Sequence, residues 1–331
     1  MEFVEYWAGI RTHLDKELTR QIPRLFRALG TQQAEAVQDI IQNGKRIRGG
    51  LVCLVNEALG GHMADALPRA VAIECIQAAS LIHDDYVDDD VVRRKRPATW
   101  TVEGPRRAVL LGDVMFATAI QSMVELSNDD AFTVTRAIAT VANGAYQEHV
   151  WLAKPIDDAG QFAWHERITY ERIIYLKTGA LFGAACQLGA IAAGASHETG
   201  TLAYAFGARI GEAYQIADDL AEFASLWGCP EERRETPPAL LPALSFFCQK
   251  AGLSTPRHLI EQQHGLYDWC QRMGKDIIHH MEHEIELRVS VAASHVGQFP
   301  ANPYRNILAE APARIAEMMA CSVTPDALNQ D

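Results

Sequence analysis

Acids at positions i, i+1 and i+4 occur twice: HDDYVDDDVVRR carries Asp84, Asp85 and Asp88, and YQIADDLAEF carries Asp218, Asp219 and Glu222. On an α-helix, i and i+4 stand one turn apart on one face, with i+1 flanking them. Each motif is then a carboxylate cluster at one spot. Carboxylates that close repel one another unless a cation lies among them, and a hard divalent ion is the natural partner. Mg²⁺ takes few carboxylates and completes its shell with water and phosphate oxygens. Two such clusters facing each other would clamp a diphosphate through bridging metal ions.

Basic residues stand where a polyanion would need them. Arg93, Arg94, Lys95 and Arg96 follow the first motif at once; a solvated, charge-balanced helix end is the competing reading of such a run. Asp218 and Asp219 sit in an otherwise apolar stretch, IGEAYQIADDLAEF, where carboxylates without partners are costly to bury. In NGKRIRGG (43–50), Lys45 and Arg48 are i and i+3, on one face if a helix starts there, and suit a second phosphate group. A surface helix N-terminus is the alternative, weakened because cations there oppose the helix dipole. Lys177-Thr178 lies on the polar edge of a small-residue helix.

The elements that must position these groups read as helices. Apolar residues recur at spacings of three and four over about 4–28, 31–43, 47–59, 66–90, 105–125, 129–152, 167–194, 200–224, 238–251 and 256–285. Breakers separate them, among them Gly60-Gly61, Gly104-Pro105 and 228–238, and no interdomain linker stands out. One all-α domain over 1–331 is expected, with the site between facing helices. The net charge of −12 argues against a nucleic-acid surface. Seven scattered cysteines without a CxxC pair fit reduced thiols in a cytoplasmic protein. The N-terminus shows no signal peptide. The nearest approach to a membrane span, 178–195, reads as a buried helix packed through Gly and Ala, so no span is expected. His279, His280, Glu282 and His283 could ligate a metal, but a solvated helix face is the preferred reading. Tyr6 and Trp7 read as core or dimer contacts.

In order, GKRIR, ECIQAASLIHDDYVDDDVVRRKRP, LLGDVMFA, YLKTGALFGAACQLGAIAAG and GEAYQIADDLAEF resemble the trans-isoprenyl diphosphate synthase (polyprenyl synthetase) family. The collinear set covers about residues 40 to 225. The resemblance implies an all-α isoprenoid synthase fold and a homodimer. It implies Mg²⁺ held on an allylic diphosphate by Asp84, Asp85 and Asp88, with Asp218, Asp219 and Glu222 holding a further ion. Arg93, Lys177, Thr178 and Gln215 would contact the allylic substrate. Lys45, Arg48, Gln77 and Arg94 would bind isopentenyl diphosphate. The implied reaction is head-to-tail elongation to a longer trans-prenyl diphosphate. A same-fold cyclase, a prenyltransferase to another acceptor, and a non-catalytic partner subunit are the alternatives.

In that family bulky aromatics one turn before the first motif stop growth early. Here the residues are Ala79 and Ser80, which imply a product beyond farnesyl, with geranylgeranyl the central expectation and Phe116 or Met115 a deeper floor. Several positions depart from the family pattern. Gln77 stands where His is common, Glu222 where Asp is usual, and Val91 and Trp100 where polar residues are commoner. The segment after the second motif, LWGCPEERRETPPALLPAL, lacks the usual lysine loop; Arg233 or Arg234 could substitute.

Overall fold

A computed structural model describes residues 2–42, 44–152, 169–225, 240–253 and 266–320. The described chain is almost entirely helical. Its helices are α1 (Phe3–Leu25), α2 (Thr31–Ile41), α3 (Ile47–Ala58), α4 (Met63–Val87), α5 (Thr99–Glu103), α6 (Pro105–Val124) and α7 (Asn128–Leu152). Then come α8 (Tyr170–Ile174), a π turn (Tyr175–Gly179), α9 (Ala180–Ala192), α10 (His197–Ser225) and α11 (Leu241–Lys250). The last two are α12 (Leu266–His295) and α13 (Pro303–Ala320). Two short strands, β1 (Val92–Arg93) and β2 (Arg96–Pro97), form an antiparallel hairpin.

Contacts divide the chain into two compact units. The first takes residues 1–139, 181–207 and 295–309; the second takes the described parts of 140–180, 208–294 and 310–331.

In the first unit α4 is the centre, packed by α1, α2, α3, α5 and α6. Its residues are buried almost all round from Ala70 to Ala79, which is why the stretch shows little amphipathic bias. α1 is the opposite case: Phe3, Trp7, Ile10, Leu14, Leu18 and Ile22 make one apolar stripe at spacings of three and four. Tyr6 and Trp7 are core residues, with Trp7 stacked on Phe3 and the Tyr6 hydroxyl donating to Glu57 at 2.8 Å. Arg69 on α4 forks onto Asp130 at 2.7 Å to each oxygen, while Ser127 accepts the Asp130 N–H. That pair seats the start of α7.

The second unit is built around aromatic rings. Phe246 and Phe247 meet edge to face, and Tyr170 packs against both at 5.2 and 5.5 Å. Ile174, Ile216, Phe223 and Met281 complete the cluster.

Several expectations change. α4 ends at Val87, not at residue 90, because Asp89 takes a left-handed backbone (φ 57) and stops the helix. α12 runs ten residues beyond the expected 285, and α13 was not anticipated. The segment Tyr170–Ala192 is long and apolar enough to cross a membrane, but 83% of its window is buried within the protein, as a core helix should be. Pro105–Val124 also passes on length and composition, with 33% buried. Cys53, Cys75, Cys186 and Cys248 are free and buried, and burial pushes the Cys75 thiol up to about 12. Such thiols behave as small apolar groups.

Candidate active site

The first unit gathers the first acid motif and a basic surface. α4 carries Asp84 and Asp85 in its last turn, and Asp88 is its C-cap, its N–H bonded to the Asp84 carbonyl at 2.8 Å. The i, i+4 relation therefore survives the end of the helix. Asp85 turns inward at 3% exposure, where Arg93 Nε donates to it at 2.6 Å. Burial raises the Asp85 carboxyl above its usual range, and the arginine acts in the opposite sense. Asp84 is half-buried and Asp88 exposed.

Arg93 is placed by the hairpin. Arg94 and Lys95 form its two-residue tip, with φ of 52 and 63. Hairpin tips of this length favour positive φ, normally supplied by Asn or Gly; two cationic side chains there cost about 1–2 kcal/mol each. Strain of that kind persists where a function needs it. Trp100 braces the hairpin, its Nε1 donating to the Asp90 carbonyl at 2.7 Å.

The tip meets the 44–50 segment. A Cβ on Gly44 would stand 2.5 Å from Arg46 Nη1, so glycine is what lets that guanidinium approach, and 3.5 Å from Arg94 Nη1, an ordinary contact that brings the hairpin tip beside Gly44. α3 begins only at Ile47, because Arg46 holds a left-handed backbone. Lys45 thus precedes the helix, which corrects the expected i, i+3 helical face. Arg48 lies over the Phe182 ring, 4.4 Å from its centroid. Gln77 is half-buried on α4.

Ala79 is fully buried and Ser80 nearly so, both about one turn before Asp84. Between them and the motif, His83 Nε2 contacts the Val109 carbonyl at 3.0 Å, and the Phe116 ring stands edge-on to His83 at 5.5 Å. Met115 is fully buried.

The second unit carries the other motif on α10. Asp219 is buried, receiving the Tyr170 hydroxyl at 2.5 Å and Gln215 Nε2 at 3.0 Å. Gln215 Oε1 in turn accepts the Thr178 hydroxyl at 2.7 Å. A continuous chain Thr178–Gln215–Asp219–Tyr170 results, and of its three links only Gln215–Asp219, at i, i+4, is local in sequence. Burial raises the Asp219 carboxyl to about 7, with Asp218 and Glu222 adding to the rise while Tyr170 and Gln215 oppose it. A divalent cation is the partner that would return such a carboxyl to its charged form, so the hard oxygen donors present fit one. Lys177 lies in the π turn and pairs with the buried Glu148 carboxylate. Such bulges are frequent at functional sites.

No three His, Cys, Asp or Glu side chains among the described residues form a closed ligand set; Mg²⁺ does not need an all-protein cage. His279, Glu282 and His283 are exposed on α12, as a solvated face requires. Arg233, Arg234 and the rest of 226–239 lie outside the described residues. Tyr170, Glu148 and Glu74 were missed in the sequence. Tyr170 precedes Lys177 by two helical turns, and Glu74 is an acid inside an apolar run, a signal in itself.

The polyprenyl synthetase family profile matches residues 31–226. A short chain isoprenyl diphosphate synthase of Methanothermobacter thermautotrophicus is 37% identical over 191 residues, covering 56% of this chain and 56% of the relative. A geranylgeranyl diphosphate synthase of Mycobacterium tuberculosis is 34% identical over 212 residues, covering 61% and 56%. The match thus spans little more than half the length of these curated relatives. Among solved structures, a geranylgeranyl pyrophosphate synthetase from Pyrococcus horikoshii superposes with a TM-score of 0.73 at 23% identity, over 95% of this chain and 98% of the other. The fold is the all-α isoprenoid synthase fold.

Proposed function

Because the chain belongs to the polyprenyl synthetase family, we propose that it condenses an allylic diphosphate with isopentenyl diphosphate, head to tail, giving a longer trans-prenyl diphosphate. The observation that carries this reading is the approach of Arg94 to the Gly44–Arg48 segment, on the same unit as the first acid motif. A cyclase of the same fold has one diphosphate to hold and no use for a second cationic cradle.

Lys45, Arg48 and Arg94 hold the isopentenyl diphosphate, and the Gln77 amide donates to it. Lys177 and the Thr178 hydroxyl hold the allylic diphosphate, with Arg93 beside the acid motif. As the allylic C–O bond ionises, charge develops on the leaving diphosphate, and these fixed cations stabilise it. The isopentenyl double bond attacks the allylic cation. A proton then leaves the new cation for the departed diphosphate, and the chain is one isoprene unit longer. No enzyme nucleophile takes part. Mg²⁺ is the proposed cofactor, which Asp84, Asp85 and Asp88 on one motif and Asp218, Asp219 and Glu222 on the other would hold, and when bound it neutralises diphosphate oxygens. Arg93 balances the charge of Asp85.

Ala79 and Ser80 leave room for a growing chain, and geranylgeranyl diphosphate is the proposed product. The protein is proposed to act as a cytoplasmic homodimer. Leu110, Val124 and Phe132 expose large apolar surfaces at 62%, 58% and 65%, which a second copy would cover.

Asp84→Ala or Asp218→Ala is expected to abolish Mg²⁺-dependent turnover while circular dichroism keeps its helical signal. Near-normal turnover in either variant would remove the metal assignment.

A further inference from the structure

Arg46 and Glu74 have no part in the reaction described above, yet both are charged and almost fully buried, at 4% and 7% exposure. A buried charge persists only where its partners offset the desolvation. Arg46 Nε donates to Asp15 at 2.7 Å and its Nη1 to the Ile41 carbonyl at 2.7 Å. The same Nη1 stands 3.5 Å from Glu74 Oε2. The other oxygen of Glu74 accepts the Gly49 N–H at 2.8 Å.

Gly49 is the third residue of α3, where N–H groups lack a partner within the helix. Arg46, the residue before the helix, offers no side-chain cap. Glu74 supplies one from α4. A Cβ on Gly49 would stand 3.1 Å from Glu74 Cγ, so a side chain there would have to displace Glu74 by a few tenths of an ångström. Arg46 also balances the charge of Glu74, so the cap adds no net repulsion toward an anion nearby.

The placement matters because of what flanks it. Lys45 precedes Arg46, Arg48 precedes Gly49, and Gln77 follows Glu74 by one helical turn. Three residues assigned to one diphosphate thus hang from a single buried Arg–Glu pair. We propose that Arg46 and Glu74 are positioning residues for the isopentenyl diphosphate site. The pair locks the start of α3 against the turn of α4 that carries Gln77, and so sets the spacing between the cations and the amide. This inference rests on the prenyltransferase reading.

The test titrates isopentenyl diphosphate calorimetrically onto the full chain, with EDTA present, for wild type, Glu74→Gln, Arg46→Gln and the double variant. Thermal midpoints and the allylic KM are measured alongside. Each single variant is expected to bind isopentenyl diphosphate about tenfold more weakly, since small misplacements of binding groups are costly, with the allylic KM within about twofold of wild type. The double variant is expected to be no weaker than the worse single one, as coupled partners require. Should a core variant not fold, Asp15→Asn removes the half-exposed partner of Arg46, with a loss of about threefold expected. Isopentenyl diphosphate affinity unchanged in the folded variants, or affinity for both substrates falling alike, overturns the proposal. A wild type that binds no isopentenyl diphosphate overturns the prenyltransferase reading itself, and this inference with it.

Discussion

The Tyr170 hydroxyl donates to the buried Asp219 carboxylate at 2.5 Å, tying α8 to the acid motif of α10. A hydrogen bond to a charged acceptor contributes about 1.5–3 kcal/mol, and it favours the ionised form that a metal requires. Tyr170→Phe is therefore expected to raise the half-saturating Mg²⁺ concentration at least about tenfold while leaving isopentenyl diphosphate affinity alone. Mg²⁺ titration of activity reads this directly, and an unchanged titration would detach Tyr170 from the metal site.

Lys177 occupies the π turn with its ammonium on Glu148. In its proposed role at the allylic diphosphate, its loss should weaken one substrate and spare the other. Lys177→Ala is expected to raise the allylic KM by about tenfold or more, the scale of one charge-assisted contact. The affinity for isopentenyl diphosphate should move less than about twofold. Equal losses for both substrates would contradict the division of roles.

Ala79 is completely buried one turn before Asp84. Ala79→Phe is expected to shorten the product and to lower stability by about 1–3 kcal/mol through overpacking. Product sizing separates the two effects: a destabilised enzyme with an unchanged product spectrum would take Ala79 out of the pocket wall.

Glu284 on α12 is buried, yet its carboxyl is held below the usual range. Burial acts to raise it, and the hydrogen bonds from Lys250 and Arg288 outweigh that. A folded pKa below the unfolded one adds stability that is present above the unfolded value, roughly 4.3, and is lost as pH falls through the folded value. Glu284→Gln is expected to cost about 1–3 kcal/mol at pH 7 and progressively less as pH drops below about 4. Denaturant unfolding at pH 7 and pH 3.5 checks it; an equal deficit at both would show that the charge is not what matters.

How much of this was legible in the sequence depends on the range of the interaction. The stripe of α1 and the acids at i and i+4 are local periodicities, and both survive folding, Asp88 even from the C-cap. The bundle class and the collinear motifs follow from the same kind of signal. The hairpin at 92–97 was hidden because a string of acids and bases reads as helix until Asp89 adopts its left-handed backbone. Arg46 stands between Lys45 and Arg48 with nothing local to mark it as different, and only a partner on another helix, Glu74, reveals its inward turn. The Thr178–Gln215–Asp219–Tyr170 chain joins three stretches that no window of sequence brings together.

Product analysis decides whether the protein elongates prenyl diphosphates. The purified chain is incubated with Mg²⁺, labelled isopentenyl diphosphate, and dimethylallyl, geranyl or farnesyl diphosphate in turn. Labelled prenyl diphosphates longer than the primer are expected, extending to geranylgeranyl and absent when EDTA replaces the metal. Hydrocarbons or alcohols formed without isopentenyl diphosphate, or no product from any primer, would contradict elongation.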